Sequence, residues 1–275
     1  NSVILIVTDD AGNTNESTFN IEVEDNTDPV ISSTHDDQTI DADANCEASL
    51  PDYTGDVTAT DNCDASLDME QSPIAGTTIS GATNSVTLTV TDDAGNTDEV
   101  SFNVEVEDNT DPIISSTHED QTIDADGNCE ASLPDYTGDV TASDNCDVSL
   151  DVTQSPIAGT TISGATNSVI LTVTDDAGNT YESTFNIEVE DNTIPTIMCL
   201  DNQEVMAGEN DIYTVSGIEF DPVLTDDNCE VDGITNNFNA SSSLAGAALP
   251  LGTNTIVWTV TDGAGNTANC SFDIL

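Results

Sequence analysis

The stretch NSVTLTVTDDAGNT, starting at Asn84, occurs as near-copies starting at Asn1 and Asn167, a constant period of 83 residues. A looser copy, TNTIVWTVTDGAGNT, begins at Thr253. A fixed period of this length demands a tandem array of small domains, each closing its own core, before any local motif is read. The two full periods, Asn26–Asp108 and Asn109–Asp191, differ at only 12 of 83 positions. Residues 1–25 read as the C-terminal part of a repeat, and residues 192–275 as a divergent final one. The chain begins in mid-repeat and has no initiating Met or leader, so it is expected to be a piece of a longer protein.

Each period carries alternating rather than helical patterning. Val86, Leu88 and Val90 alternate with Ser and Thr, and Val100, Phe102, Val104 and Val106 alternate with polar residues. Such period-two patterning describes antiparallel strands with one buried and one wet face. Asp93-Ala-Gly-Asn96 between them supplies hairpin turn residues. Cys46, Ala48 and Leu50 form another alternating run, and Val57–Thr60 a further one. About seven short strands per period predict an all-β chain of tandem immunoglobulin-like β-sandwich domains arranged as an extended rod. Trp258 stands where the repeats have Leu88 and is expected in the core.

Charge narrows function. The chain has 54 Asp plus Glu and no Lys or Arg. Nucleic acid is excluded as an ordinary partner, because phosphate binding depends on Lys and Arg. Direct membrane contact through anionic lipid fails for the same reason, and no apolar run is long enough to span a bilayer. Two carboxylates about 4 Å apart repel by ~1 kcal/mol in water and ~4 kcal/mol at an effective dielectric of 20. No cationic side chain can offset this, so cations from solvent must. A dispersed, solvated acidic surface serving solubility is the plainer alternative.

Three motif elements carry a family resemblance: Pro soon after an acidic linker, a mid-domain Asp-Asn-Cys, and Thr-Asp-x-Ala-Gly-Asn near the end. They resemble the hyalin repeat (HYR) domain. The last domain fits best, through Pro195-Thr-Ile-Met-Cys199, Asp227-Asn-Cys229 and Thr261-Asp-Gly-Ala-Gly-Asn-Thr-Ala-Asn-Cys270. The earlier repeats lack counterparts of Cys199 and Cys270. The resemblance implies an immunoglobulin-like fold and an extracellular, cell-surface adhesion protein. Long acidic arrays of this kind are also similar to the giant SprB-type adhesins of gliding Bacteroidota, which implies gliding motility or surface attachment.

Cys46 and Cys63 recur as Cys129 and Cys146, which suggests Cys46–Cys63 and Cys129–Cys146 disulfides within each repeat. Each would close a loop of about 16 residues, contributing on the order of 3 kcal/mol by chain entropy. Zinc would need Cys-x-x-Cys or His spacing that is absent. Disulfides imply an oxidising, extracellular setting. One period after Cys129 stands Ile212, so Cys229 is expected as a buried free thiol and Cys199–Cys270 as the remaining pair. No His in the last domain could activate Cys229 as a nucleophile.

In immunoglobulin-like strand order, Asp41, Asp43 and Asn45 precede the second strand and Asp61 follows the third. A Cys46–Cys63 bond would hold these motifs together where the chain leaves the domain. The linker residues Asp108, Asn109 and Asp111 would leave from that end, and the Asp175-Asp176 turn of the next domain would face back to it. The same argument places Asp25, Asn26, Asp28, Asp92 and Asp93 at the preceding junction. It places Asp124, Asp126, Asn128, Asp144, Asp191 and Asn192 at the other equivalent positions. Converging hard oxygen ligands suit Ca²⁺, which takes 6–8 oxygens in irregular geometry. The linkers are similar to cadherin junctions, where calcium stiffens a rod.

The remaining candidates are weaker. His35 and His118, beside acids, read as exposed side chains. Tyr53 and Tyr136 are the best exposed aromatics for stacking a sugar. Asn15-Glu-Ser and Asn239-Ala-Ser match glycosylation sequons, which carry little weight in a bacterial protein, and no paired-carboxylate couple stands out for glycoside hydrolysis. The sequence thus points to a non-enzymatic stalk segment of a large surface adhesin. It would be stiffened by calcium at its junctions and by disulfides, with neighbouring repeats of the same chain as partners. The alternatives are repeats that themselves bind polysaccharide, a surface or other cell-surface proteins, and an acidic mineral- or ice-interacting protein.

Overall fold

The computed structural model describes every residue except Thr34 and Thr117, together with all side chains but theirs and that of Glu209. The chain is all-β, with short 3₁₀ turns at Thr54–Asp56, Thr137–Asp139 and Glu209–Asp211. Among the described residues no helix is long and apolar enough to cross a membrane. Two compact units are present. The first comprises Asn1–Asp111 with Asp144–Val148 and Asp176–Asn179; the second comprises Pro112–Ser143, Ser149–Asp175 and Thr180–Leu275.

In the first unit, Gln38–Asp41, Thr97–Glu107, Asn84–Thr91 and Asp68–Ser72 form a four-stranded sheet in that order. Gln38–Asp41 runs parallel to its neighbour and the other pairings are antiparallel. Two short ladders face this sheet: Val30–Ile31 with Ala59–Thr60, and Ala48–Ser49 with Thr78–Ile79. The inward residues of both layers meet in one core containing Leu50, Val86, Leu88, Val90, Phe102 and Val104. This is a two-layer β-sandwich. Apolar burial drives it at roughly 1.5–3 kcal/mol per enclosed Leu, Val or Phe. The buried polar side chain Gln71 is satisfied: it accepts from the Tyr53 amide at 2.8 Å and donates to the Pro51 and Pro73 carbonyls.

The second unit repeats the arrangement. Its four-stranded sheet contains Gln121–Asp124, Thr180–Glu190, Asn167–Thr174 and Asp151–Ser155, over a core that includes Leu133, Leu171 and Phe185. Its final part is a three-stranded sheet of Val231–Asn236, Asn254–Asp262 and Thr267–Ile274. Trp258 is fully enclosed there, with Leu244 and Ile256. The Ser2–Thr8 and Thr14–Asn20 strands form an isolated hairpin at the start of the chain.

The cysteines pair differently from the repeat-by-repeat expectation. Cys46 is bonded to Cys146 and Cys129 to Cys229, each across 100 residues. Cys63 is the free, exposed cysteine among the described residues. The Cys46–Cys63 and Cys129–Cys146 pairings are therefore corrected, and Cys229 is not a free thiol. The reason lies in strand pairing: Val30 sits opposite Thr60, so the strand before Cys63 runs back to the end where the chain enters. Cys46 lies elsewhere, in a left-handed turn (φ 59°) rather than within a strand. That turn is closed by the Asp43 carboxylate, which accepts from the Asn45 and Glu47 amides. The third disulfide joins Cys199 to Cys270.

Candidate cation-binding clusters

The return of Ala59–Thr60 beside Val30–Ile31 brings the Asp61-Asn-Cys-Asp64 turn next to the entering linker. The same end receives the turn after Asn84–Thr91, because Asp68 pairs with Thr91. Gly95, at φ +94°, bends this turn so that Asn96 folds back on Asp92. The Asn96 amide donates to Asp92 Oδ1 at 2.7 Å, and its side chain donates to Asp92 Oδ2 at 2.6 Å. Asn96 Nδ2 also reaches the Asp25 carbonyl at 3.4 Å, tying turn to linker.

Asp25, Asp61, Asp64 and Asp92 each bring a carboxylate oxygen within 4.8 Å of the others. Asp92 is buried at 6% exposure, and the other three are half-buried. One period on, Asp108, Asp144 and Asp147 converge in the same way. Asn179 Nδ2 donates to the Asp108 carbonyl at 3.0 Å, as Asn96 does to Asp25. Asp175, the counterpart of Asp92, is buried at 6% exposure. In the last domain Asp191, Asp227 and Asp262 converge, and Asn266 Nδ2 donates to the Asp191 carbonyl at 2.9 Å. Asp262 is 1% exposed.

The electrostatics of these clusters are unusual. Asp61 is held below its ordinary pKa of 3.8 by the amides of Cys63 and Asp64, against opposition that includes the Asp92 charge. For Asp92, burial works against the charged form, but the two Asn96 hydrogen bonds prevail and hold its pKa low. Asp262 is held low by Asn266 against the same burial. These hydrogen bonds favour the charged forms of Asp61, Asp92 and Asp262 although carboxylates crowd around each of them. Seven of their oxygens are buried without a hydrogen-bond partner: Asp25 Oδ2, Asp61 Oδ1, Asp108 Oδ2, Asp144 Oδ2, Asp191 Oδ2, Asp227 Oδ1 and Asp262 Oδ2. A charged acceptor enclosed without a hydrogen-bond partner is destabilising. Every buried unpartnered carboxylate oxygen among the described residues belongs to these clusters.

These residues only partly overlap the set expected from sequence. Asp25, Asp61 and Asp92 come together, as do Asp108 and Asp144, and Asp191 joins a third cluster. Asp41 instead accepts from Asn109 Nδ2, and Asp124 from Asn192 Nδ2, both at 2.8 Å. Asp43 and Asp126 close their own turns, on the amides of Asn45 and Asn128 among others. Asn26, Asp28, Asp93, Asp111 and Asp176 are exposed and stand outside the clusters. The Asp93 and Asp176 amides do contribute, donating to Asp64 Oδ2 and Asp147 Oδ2. Asp64, Asp147, Asp227 and Asp262 were not among the expected ligands. Their signal was present: Asp64 closes the Asp-Asn-Cys-Asp motif, and Asp227 and Asp262 lie in the counterparts of motifs already singled out.

Other candidates change as well. Tyr53 and Tyr136 are buried, at 9% and 6% exposure, so they are not exposed stacking platforms. His35 and His118 are half-buried and stack on Phe102 and Phe185, with centroids 4.7 and 5.1 Å apart. Cys63 lies within reach of Asp25, which raises the thiol pKa together with the negative charges of Asp61 and Asp64.

Residues 190–275 match the HYR domain, an extracellular domain family. No curated protein matches the chain. Among solved structures, a protocadherin gamma B7 extracellular fragment, cadherin domains 1–4, aligns at 15% identity and TM-score 0.35, covering 96% of this chain and 80% of that one. Titin domains I67–I69 align at 9% identity and TM-score 0.36, covering 90% and 98%. Drosophila N-cadherin EC1–4 aligns at 12% identity and TM-score 0.34, covering 99% and 82%.

Proposed function

We propose that this chain is a non-catalytic stalk segment of a large cell-surface adhesin, serving surface attachment or gliding, with calcium bracing each linker. Its domains would be Asn26–Asp108, Asn109–Asp191 and residues 192–275, preceded by the partial repeat of residues 1–25. The observation that carries this reading is the set of buried, unpartnered carboxylate oxygens, all drawn from three repeat-equivalent places. With no Lys or Arg in the chain, only a cation from outside can neutralise them. Hard oxygen donors in irregular number favour Ca²⁺ over Mg²⁺, which demands near-octahedral geometry and keeps its waters.

Asp25, Asp61, Asp64 and Asp92 would hold one ion, and Asp191, Asp227 and Asp262 another. Asp108, Asp144 and Asp147 would supply the site between them in sequence. A bound ion supplies positive charge that cancels the mutual repulsion. The chain's own residues do the rest: the Asn96, Asn179 and Asn266 side chains fix each linker carbonyl, and the amides at each turn aim the carboxylates. Because each cluster takes one acid from a linker and the others from loops, ion binding would restrain the linker.

Calorimetric titration of calcium into the chelator-stripped chain tests this. Saturable binding that Asp92→Asn and Asp262→Asn each reduce supports it. An absence of binding at millimolar calcium would leave the acids as solvated surface and the adhesin stalk unbraced.

A further inference from the structure

We infer that the Asp61–Asp64 turn is a docking edge for the Asp-x-Asp-x-Asn-Cys turn of another repeat, placed ahead of Asn1 in the same chain, with Cys63 as the point of covalent attachment. This inference does not rest on the cation reading. Its ground is what the same position does elsewhere in the structure. Cys146 and Cys229, one and two periods beyond Cys63, are each disulfide-bonded to the cysteine of such a turn, 100 residues upstream.

The three turns are built alike. The Cys63 amide donates to Asp61 at 2.6 Å, that of Cys146 to Asp144 at 2.8 Å, and that of Cys229 to Asp227 at 2.9 Å. Beside each thiol stands an asparagine. Asn145 Nδ2 donates to the Asp43 carbonyl and Asn228 Nδ2 to the Asp126 carbonyl, both at 3.0 Å, so each pins the partner turn next to the disulfide. Asn62 makes no such contact among the described residues; its Nδ2 meets only Cys63 Sγ. Cys63 is exposed where Cys146 and Cys229 are half-buried. One edge of this turn, a backbone-carbonyl partner for Asn62 and a thiol partner for Cys63, is thus left open.

The spacing identifies the occupant. A mate 100 residues upstream of Cys63 falls ahead of Asn1. Residues 1–25 reproduce 84–108, the segment that follows the Cys46 turn within a repeat. Formation of the bond takes one proton and one electron from each thiol and passes them to an external disulfide oxidant, giving one Sγ–Sγ bond. Repeats of this kind are then stapled in series, each to the next.

The test appends a copy of residues 109–166 ahead of Asn1, which completes the preceding repeat in register; the copy carries Gly127→Ala, the residue the first repeat has at Ala44, to mark its turn. The product is oxidised with glutathione disulfide, alkylated and digested without reduction by a Glu-specific protease, since trypsin has no site in this chain. The peptide Ala48–Glu70, which carries Cys63 and differs in sequence from its appended counterpart, is then followed by mass spectrometry. In the original chain it is alkylated. In the extended chain alkylation is lost, and the peptide appears crosslinked to the Asp-Ala-Asn-Cys-Glu peptide of the appended turn, which differs in mass from the chain's own Asp120–Glu130 peptide. The proposal is overturned if Cys63 stays alkylated, bonds within its own repeat, or links two chains. Absence of the Cys46–Cys146 crosslink from the same digest also overturns it, because that bond is its foundation.

Discussion

The near-identical repeats and the divergent last domain solve one problem with different parts. In the repeats, the Asp-Asn-Cys-Asp turn ends in Asp64 or Asp147, whose carboxylate receives the amide of Asp93 or Asp176. The last domain has Glu230 at this place, and the Gly263 amide donates to the Glu230 backbone carbonyl instead. Its longer side chain leaves the cluster, and three carboxylates converge rather than four as around Asp92. The disulfides differ in parallel. The left-handed position held by Cys46 and Cys129 is occupied by Asp211 (φ 57°), immediately before the strand that corresponds to Ala48–Ser49. With no cysteine there, the last domain receives a staple through Cys229 but offers none, and ties itself with Cys199–Cys270. The core is common to both; the acids and cysteines at its ends set how each domain is joined.

The largest effect is expected from the disulfides. Loop-entropy scaling gives about 4–5 kcal/mol for closing loops of roughly 70–100 residues. Cys199→Ala with Cys270→Ala removes a bond inside one sandwich, and the last domain should lose most of that stability in denaturant melts. Cys129→Ala with Cys229→Ala removes a bond between two sandwiches. The expected outcome is a single unfolding transition split into two, with each core's own midpoint moved much less. Equal losses from the two double variants would erase the distinction between internal and serial staples.

Next comes the ion. At a calcium concentration 100-fold above the dissociation constant, one site adds about 2.7 kcal/mol to stability. Asp262→Asn should abolish this gain for the last domain while leaving the fold intact in chelator, because Asn266 can still donate to the remaining oxygen. Glu230→Asp is the converse change, supplying the shorter acid that the repeats carry. It should tighten calcium binding at the last cluster by roughly tenfold, since ligand charge and number tune such sites. An unchanged affinity would show that Glu230 already contributes as much as Asp64.

The smallest effect is that of pH in chelator. Asp61, Asp92 and Asp262 have pKa values held below the ordinary 3.8, so their hydrogen bonds stabilise the fold above that value. This contribution is lost as pH falls through the lower folded values. Acid melts followed by circular dichroism should therefore show stability declining below about pH 4, and no such loss between pH 5 and 7.

Much of this was legible in the sequence, for physical reasons that also mark where it stopped. Alternation around Val86, Leu88, Val90 and Phe102 reports one-sided burial directly, and Trp258 in the Leu88 place could only be core. The acidic motifs were visible too, but their grouping depended on which end of the sandwich each turn occupied. The two-residue ladder pairing Val30–Ile31 with Ala59–Thr60 decides that, and it is too short to carry a pattern. Placing the Asp61 turn at the wrong end then drew Asp41 and Asp43 into the expected site and left Asp64 out. The cysteines failed for a related reason. A period with two cysteines is equally consistent with pairing inside a repeat and with pairing to the next, and only the positions of the turns separate the two.

The central claim is that the buried acids are cation sites, and thermal melting of the whole chain in calcium and in chelator tests it most directly. The account predicts a higher melting temperature in calcium that saturates with concentration and is diminished by Asp92→Asn and by Asp262→Asn. An identical melting temperature in both conditions, or a calcium shift that both substitutions leave intact, would contradict it.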